Sequence, residues 1–126
     1  MVDPGKQITH WRSGAEEDWA VAEDLIGLGR VRHGLFFAHL ALEKAFKAHI
    51  CRMTSDLPPR VHQLLRLADR VDLPLTDEQR VFIARFDRHH LEGRYPESLL
   101  VTLSVDAARQ ELQAAKEVLV WLIRQL

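Results

Sequence analysis

Between His33 and Met53 the chain carries a run that no single apolar stripe describes: Leu35, Phe36, Phe37, Ala38, Leu40, Ala41, Leu42, Ala45 and Phe46. A helix over these residues is apolar on nearly every side. Such a helix is stable only when other elements surround it. The run is too short and too interrupted to span a bilayer, with His39, Glu43, Lys44 and Lys47 inside it against the roughly 18 uninterrupted apolar residues that a span requires. The chain therefore reads as one buried central helix with the rest of the sequence wrapped around it.

The rest supplies suitable wrapping. Ser13 and Glu16 have the spacing of a capping box, and Ala15, Trp19, Ala22 and Ile26 follow at helical intervals, which predicts a first helix from about Ser13 to a turn near Gly29–Arg32. Residues 1–10 are expected to form a tail. Pro58 and Pro59 close the central helix, and Val61, Leu64, Leu65 and Ala68 mark a third helix over about 60–71. Thr76 with Gln79 forms a second capping box, ahead of Phe82, Ile83 and Phe86, and Gly93 is a natural stop. Ala108, Leu112, Ala115, Leu119 and Leu122 line a last helix from about Ser104. The expected fold is all-α, an up-and-down bundle of four to five helices over residues 11–126.

Composition narrows the function classes. A net charge of −1 gives no global attraction to nucleic acid or to an anionic membrane, so any anion site is local. A lone cysteine, Cys51, excludes an intramolecular disulfide and a cysteine-rich zinc site, and suits a reducing compartment, so a cytoplasmic location is expected. The N-terminus has no apolar segment of the kind a signal peptide carries.

Three stretches carry a family resemblance. Phe37-Ala38-His39-Leu40-Ala41-Leu42-Glu43-Lys44-Ala45-Phe46-Lys47-Ala48, then His62-Gln63-Leu64-Leu65-Arg66-Leu67, then Arg94-Tyr95-Pro96-Glu97, in this order and spacing, resemble the signatures of the HEPN domain family. The resemblance covers about residues 11–126. It implies a four- or five-helix bundle that often dimerises. It also implies a link to nucleotides or RNA, frequently beside a nucleotidyltransferase partner in a toxin–antitoxin pair.

The charged residues of these stretches are the candidate site. Glu43 and Lys47 share a helix face in the favourable orientation, either as a solvent-facing pair or, with Lys44, as charges turned toward a cleft or a twofold interface where ammonium groups meet phosphates. His39 and Glu43 are also four apart, as two metal ligands on one helix would be, but Glu43 has Lys47 as a ready partner. Neither a metal site nor a cofactor is expected. His62 reads as a capping or core residue or as part of the site. Arg94 and Tyr95 either anchor a loop or edge a nucleotide cleft, by guanidinium–phosphate contact and stacking.

Many ribonucleases of the family use Arg-x(4–6)-His, in which His assists proton transfer and Arg stabilises the anionic transition state. Here Arg85 and His90 match with four intervening residues, and Arg32 and His39 with six. With 13 Arg and 7 His in the chain, about two such matches arise by chance. On a continuous helix Arg85 and His90 diverge by about 140°, so they meet only if the helix breaks before His90. The favoured expectation is a homodimeric module that binds a nucleotide, an RNA end or a nucleotidyltransferase. A metal-independent endoribonuclease using Arg85 and His90 is the rival, and a structural subunit without ligand the third reading.

Overall fold

A computed structural model of the chain describes residues 2–92 and 103–126, without the side chains of 91 and 92. All regular structure among them is helical: α1 (Pro4–Gly27), α2 (Val31–Thr54), α3 (Leu64–Ala68), α4 (Asp77–Phe86), α5 (Arg88–Glu92) and α6 (Val105–Arg124). Because α4 and α5 are successive parts of one rod broken at Asp87, the architecture is the expected up-and-down bundle.

The first helix starts earlier than its sequence pattern suggests. Asp3 caps it, its carboxylate accepting the Lys6 amide at 3.1 Å, and Pro4 occupies the first turn, where its missing N–H costs nothing. Asp3-Pro4 thus supersedes Ser13, which lies in mid-helix, and most of the segment expected as a tail is helical. The half-buried Ile8 and Trp11 continue the face of the buried Ala15, Trp19, Ala22 and Ile26 by more than a turn.

Gly29, at φ +78°, makes the turn that folds α2 back along α1. The two helices form the longest seam of the molecule. They approach so closely near the turn that a Cβ on Gly34 would lie 2.6 Å from Ile26 Cδ1 and 3.2 Å from its backbone nitrogen. Helix α2 then runs through the centre with α1, α3, α5 and α6 against it. Leu35, Leu42 and Phe46 are fully enclosed, and each such side chain contributes roughly 1.5–3 kcal/mol by leaving water. Ser55 ends α2 in the left-handed conformation, three residues before the prolines.

The Thr76–Gln79 capping box starts α4 as its spacing predicts, and Ser104 caps α6 through the Ala107 amide. The third helix is shorter than expected, and Gly93 lies outside the described residues. Before it, the rod already breaks at Asp87.

A buried imidazole ties α6 to the centre. His49 Nε2 donates to the Leu122 carbonyl at 2.8 Å. Burial lowers the pKa of the ring below its ordinary 6.5, against the upward pull of the Leu122 bond and with the help of nearby Arg52. The folded state thus prefers neutral His49 while the unfolded chain takes up a proton near pH 6.5. This contribution to stability is complete above that pH and is lost as pH falls toward the lower, folded pKa. Urea midpoints at about pH 7.5 and about pH 5.5 are expected to show a drop that His49→Gln reduces.

Candidate functional site

Apolar periodicity would place only hydrophobic side chains along the centre of α2, yet His39, Glu43 and Lys47, at successive i,i+4 positions, are all buried there. Their partners come from distant parts of the chain. Glu43 Oε2 accepts from Lys47 Nζ at 3.1 Å and pairs with His62 Nδ1 at 3.2 Å. Lys47 also lies over the Trp11 ring, 5.3 Å from its centroid, so α1 covers the ammonium.

His39 turns the other way. Its Nε2 lies 3.0 Å from Asp87 Oδ1, and the same oxygen accepts the Leu64 amide at 2.7 Å. Asp87 therefore serves as a tertiary N-terminal cap for α3, supplied from the α4–α5 break rather than from Gln63, whose side chain caps nothing. An ionised carboxylate only accepts, so His39 carries its proton on Nε2 when neutral, and Nδ1 presents a lone pair. That lone pair faces Glu43 Oε1, another acceptor, at 4.0 Å. Both atoms are buried without a hydrogen-bond partner.

His90 completes the cluster from α5. Its ring stacks on His62 (centroids 5.1 Å, planes 14° apart) and on Phe36 (5.7 Å, 24°), and tilts against His39 at 5.1 Å. His62 and His90 also line a cleft of about 590 Å³, together with Arg60, Val61, Gln63, Arg66, Asp87 and Arg88. The segment before α3 forms one wall and the α4–α5 break the other. Asp87 is the cleft's one acidic residue among the described residues, and its carboxylate is taken by Leu64 and His39. No described carboxylate lies within ion-pair distance of Arg60, Arg66 or Arg88, so the cleft holds a local cationic field in a chain of nearly zero net charge.

The structure sorts the residues singled out in the sequence. Glu43, His62 and His90 come together. Lys47 joins them as a buried partner of Glu43 and is not among the residues that line the cleft beside His62 and His90. Lys44 lies elsewhere: it pairs with Asp18 of α1 at 2.7 Å and packs its stem on Gly14, sealing the α1–α2 seam. The rod does break before His90, yet Arg85 goes to Glu111 of α6 at 3.1 Å and over the Phe82 ring. His89, at 3.4 Å from the same Glu111, is the histidine that shares a partner with Arg85, while His90 turns toward His39 and His62. Arg94 and Tyr95 lie outside the described residues.

Asp87, Arg60 and Arg66 escaped the sequence reading. The two arginines flank His62 within one short segment, a cue that was available. The role of Asp87 was not, because its partners are 23 and 48 residues away.

No curated protein matches the chain significantly. The crystal structure of TT1696 from Thermus thermophilus shares the fold, with a TM-score of 0.79 at 22% identity, over 95% of this chain and 98% of that one. The family model of the HEPN domain matches residues 8–126, nearly the whole length. The chain belongs to the HEPN domain family.

Proposed function

We propose that this HEPN domain binds a phosphate-bearing ligand, a nucleotide or an RNA end, in the cleft between the segment before α3 and the α4–α5 break. One observation carries the reading: Arg60, Arg66 and Arg88 converge on one cleft with no described carboxylate paired to them, while the only described acid there is already engaged. Guanidinium groups suit phosphate oxygens by geometry as well as by charge. His62 and His90, stacked on each other at the cleft wall, add donors and a flat surface for a base. Lys44 lies away from this cleft, Glu43 stands behind it through His62, and Arg94 and Tyr95 remain proposed as its continuation beyond the described residues.

Calorimetric titration with ATP and with a short single-stranded RNA tests the reading. Each Arg→Ala change in the cleft removes a charge-assisted contact worth about 1.5 kcal/mol or more, so Arg60→Ala or Arg66→Ala is expected to weaken binding roughly tenfold. Lys44→Ala, at the α1–α2 seam, is expected to leave affinity unchanged. Absence of binding by the wild type ends the proposal. If the RNA is cut in the presence of EDTA and His90→Ala abolishes the cutting, the endoribonuclease reading replaces it. The family resemblance adds a nucleotidyltransferase partner in a toxin–antitoxin pair, a homodimer and a cytoplasmic setting to the proposal. Co-purification with a nucleotidyltransferase encoded nearby and light scattering test the first two.

A further inference from the structure

Beneath the cleft floor, two buried acceptors face each other across 4.0 Å: His39 Nδ1 and Glu43 Oε1. Two lone pairs confined in this way repel unless something positive or proton-bearing lies between them. A ring nitrogen of His90 joins them, with one ligand atom from each of the three residues all within 4.8 Å of one another. Lys47 satisfies Glu43 at one oxygen only. Lys47 and His62 both take Oε2, which fixes the carboxylate and leaves Oε1 directed at His39.

We infer that His39, Glu43 and His90 form a site for one divalent transition-metal ion of the zinc class. Two imidazoles and a carboxylate are a donor set that such ions favour, with His39 and Glu43 at the i,i+4 spacing that puts two ligands on one helix face. A metal-binding imidazole characteristically donates its other N–H to a carboxylate, and His39 already has Asp87 there at 3.0 Å. Ligand atoms around a tetrahedral ion stand roughly 3.3 Å apart, so closure asks for movements of about 1 Å, which the half-buried His90 can supply. Since His90 also lines the cleft, an ion held there has its fourth position on the cleft side, below the arginines.

The test uses the full chain, stripped of metal and titrated with zinc in competition with a chromophoric chelator, and with cobalt(II), whose visible absorption reports the coordination geometry. One equivalent is expected to bind, with the intense bands of a four-coordinate cobalt site. Glu43→Gln, which keeps the side-chain shape, and His90→Ala are each expected to lower affinity more than tenfold. Asp87→Asn, acting through His39, is expected to lower it by roughly the 10–100-fold typical of losing the carboxylate that orients a ligating imidazole. His33→Ala, at an exposed ring, is the control and leaves binding intact. Circular dichroism establishes that each variant is folded. Failure of the wild type to bind either metal overturns the inference, because a proton or a water then separates His39 from Glu43. Binding that survives Glu43→Gln and His90→Ala overturns it equally, as adventitious capture by surface histidines.

Discussion

Glu43→Ala is expected to destabilise the domain by about 3–5 kcal/mol, the cost of leaving a buried charge without its counter-charge. The charge in question is the Lys47 ammonium, whose side chain is only 6% exposed and whose sole anionic neighbour among the described residues is Glu43. The Trp11 ring above it offers a desolvated cation–π contact of about 2 kcal/mol, still less than the carboxylate supplies. Against a total stability of about 5–15 kcal/mol for a domain of this size, the loss is a large fraction, and a fall of roughly 10–20 °C in Tm is expected. Glu43→Gln is expected to cost less, since an amide oxygen still accepts from Lys47. The informative variant is the double change Glu43→Leu with Lys47→Met, which removes both charges and fills their volume. It is expected to equal or exceed the wild type in stability, because two desolvation costs vanish together. Urea unfolding of the four proteins checks the set. A Glu43→Ala cost below about 1 kcal/mol would mean that the pair is hydrated in solution, as exposed pairs are.

That prediction would not have come from the sequence, and the reason is physical. The all-round apolar run told that α2 is central, because burial of apolar area is a sum over local residues and leaves a local trace. Thr76 with Gln79 and the Ala108–Leu122 stripe were legible on the same ground: a cap is made by residues three apart, and a stripe by residues three or four apart. The Glu43–Lys47 spacing was legible too, but not its environment. Whether an i,i+4 pair is worth a few tenths of a kcal/mol in water or several when enclosed depends on what covers it. Here the cover is Trp11, from a stretch of α1 that the Ser13 cap signal had left outside the helix. The break at Asp87 was hidden for a related reason. Nothing in Arg85-Phe86-Asp87-Arg88-His89-His90 is a helix breaker, and Gly93 is the nearer stop signal. Asp87 stands where it does because an unsatisfied amide of α3 and a buried imidazole of α2 both need its carboxylate, a demand set by tertiary structure.

Asp87→Ala is accordingly expected to cost about 2–4 kcal/mol, the sum of a lost helix cap and a charged acceptor withdrawn from a buried imidazole. The Leu64 amide loses the acceptor it holds at 2.7 Å, and His39, with no exposed surface, loses the partner that sets its proton on Nε2. With five residues, α3 has too few internal bonds to persist without a cap. Hydrogen exchange at the Leu67 and Asp69 amides, which bond back to Gln63 and Leu65, is therefore expected to accelerate far more than exchange in the middle of α2. Asp87→Asn separates the cap from the charge. One oxygen, Oδ1, receives both the Leu64 and the His39 bonds, and an asparagine can present an oxygen there, so α3 protection is expected to survive at a cost of about 1 kcal/mol. Since Arg60, His62 and Gln63 lead directly into α3, the wall of the cleft moves with it. Anion affinity is then expected to fall in Asp87→Ala, although that change removes a negative charge from the cleft and would raise the affinity of a rigid one. An increase would show that the cleft is shaped without Asp87, and that its carboxylate serves only to oppose the arginines.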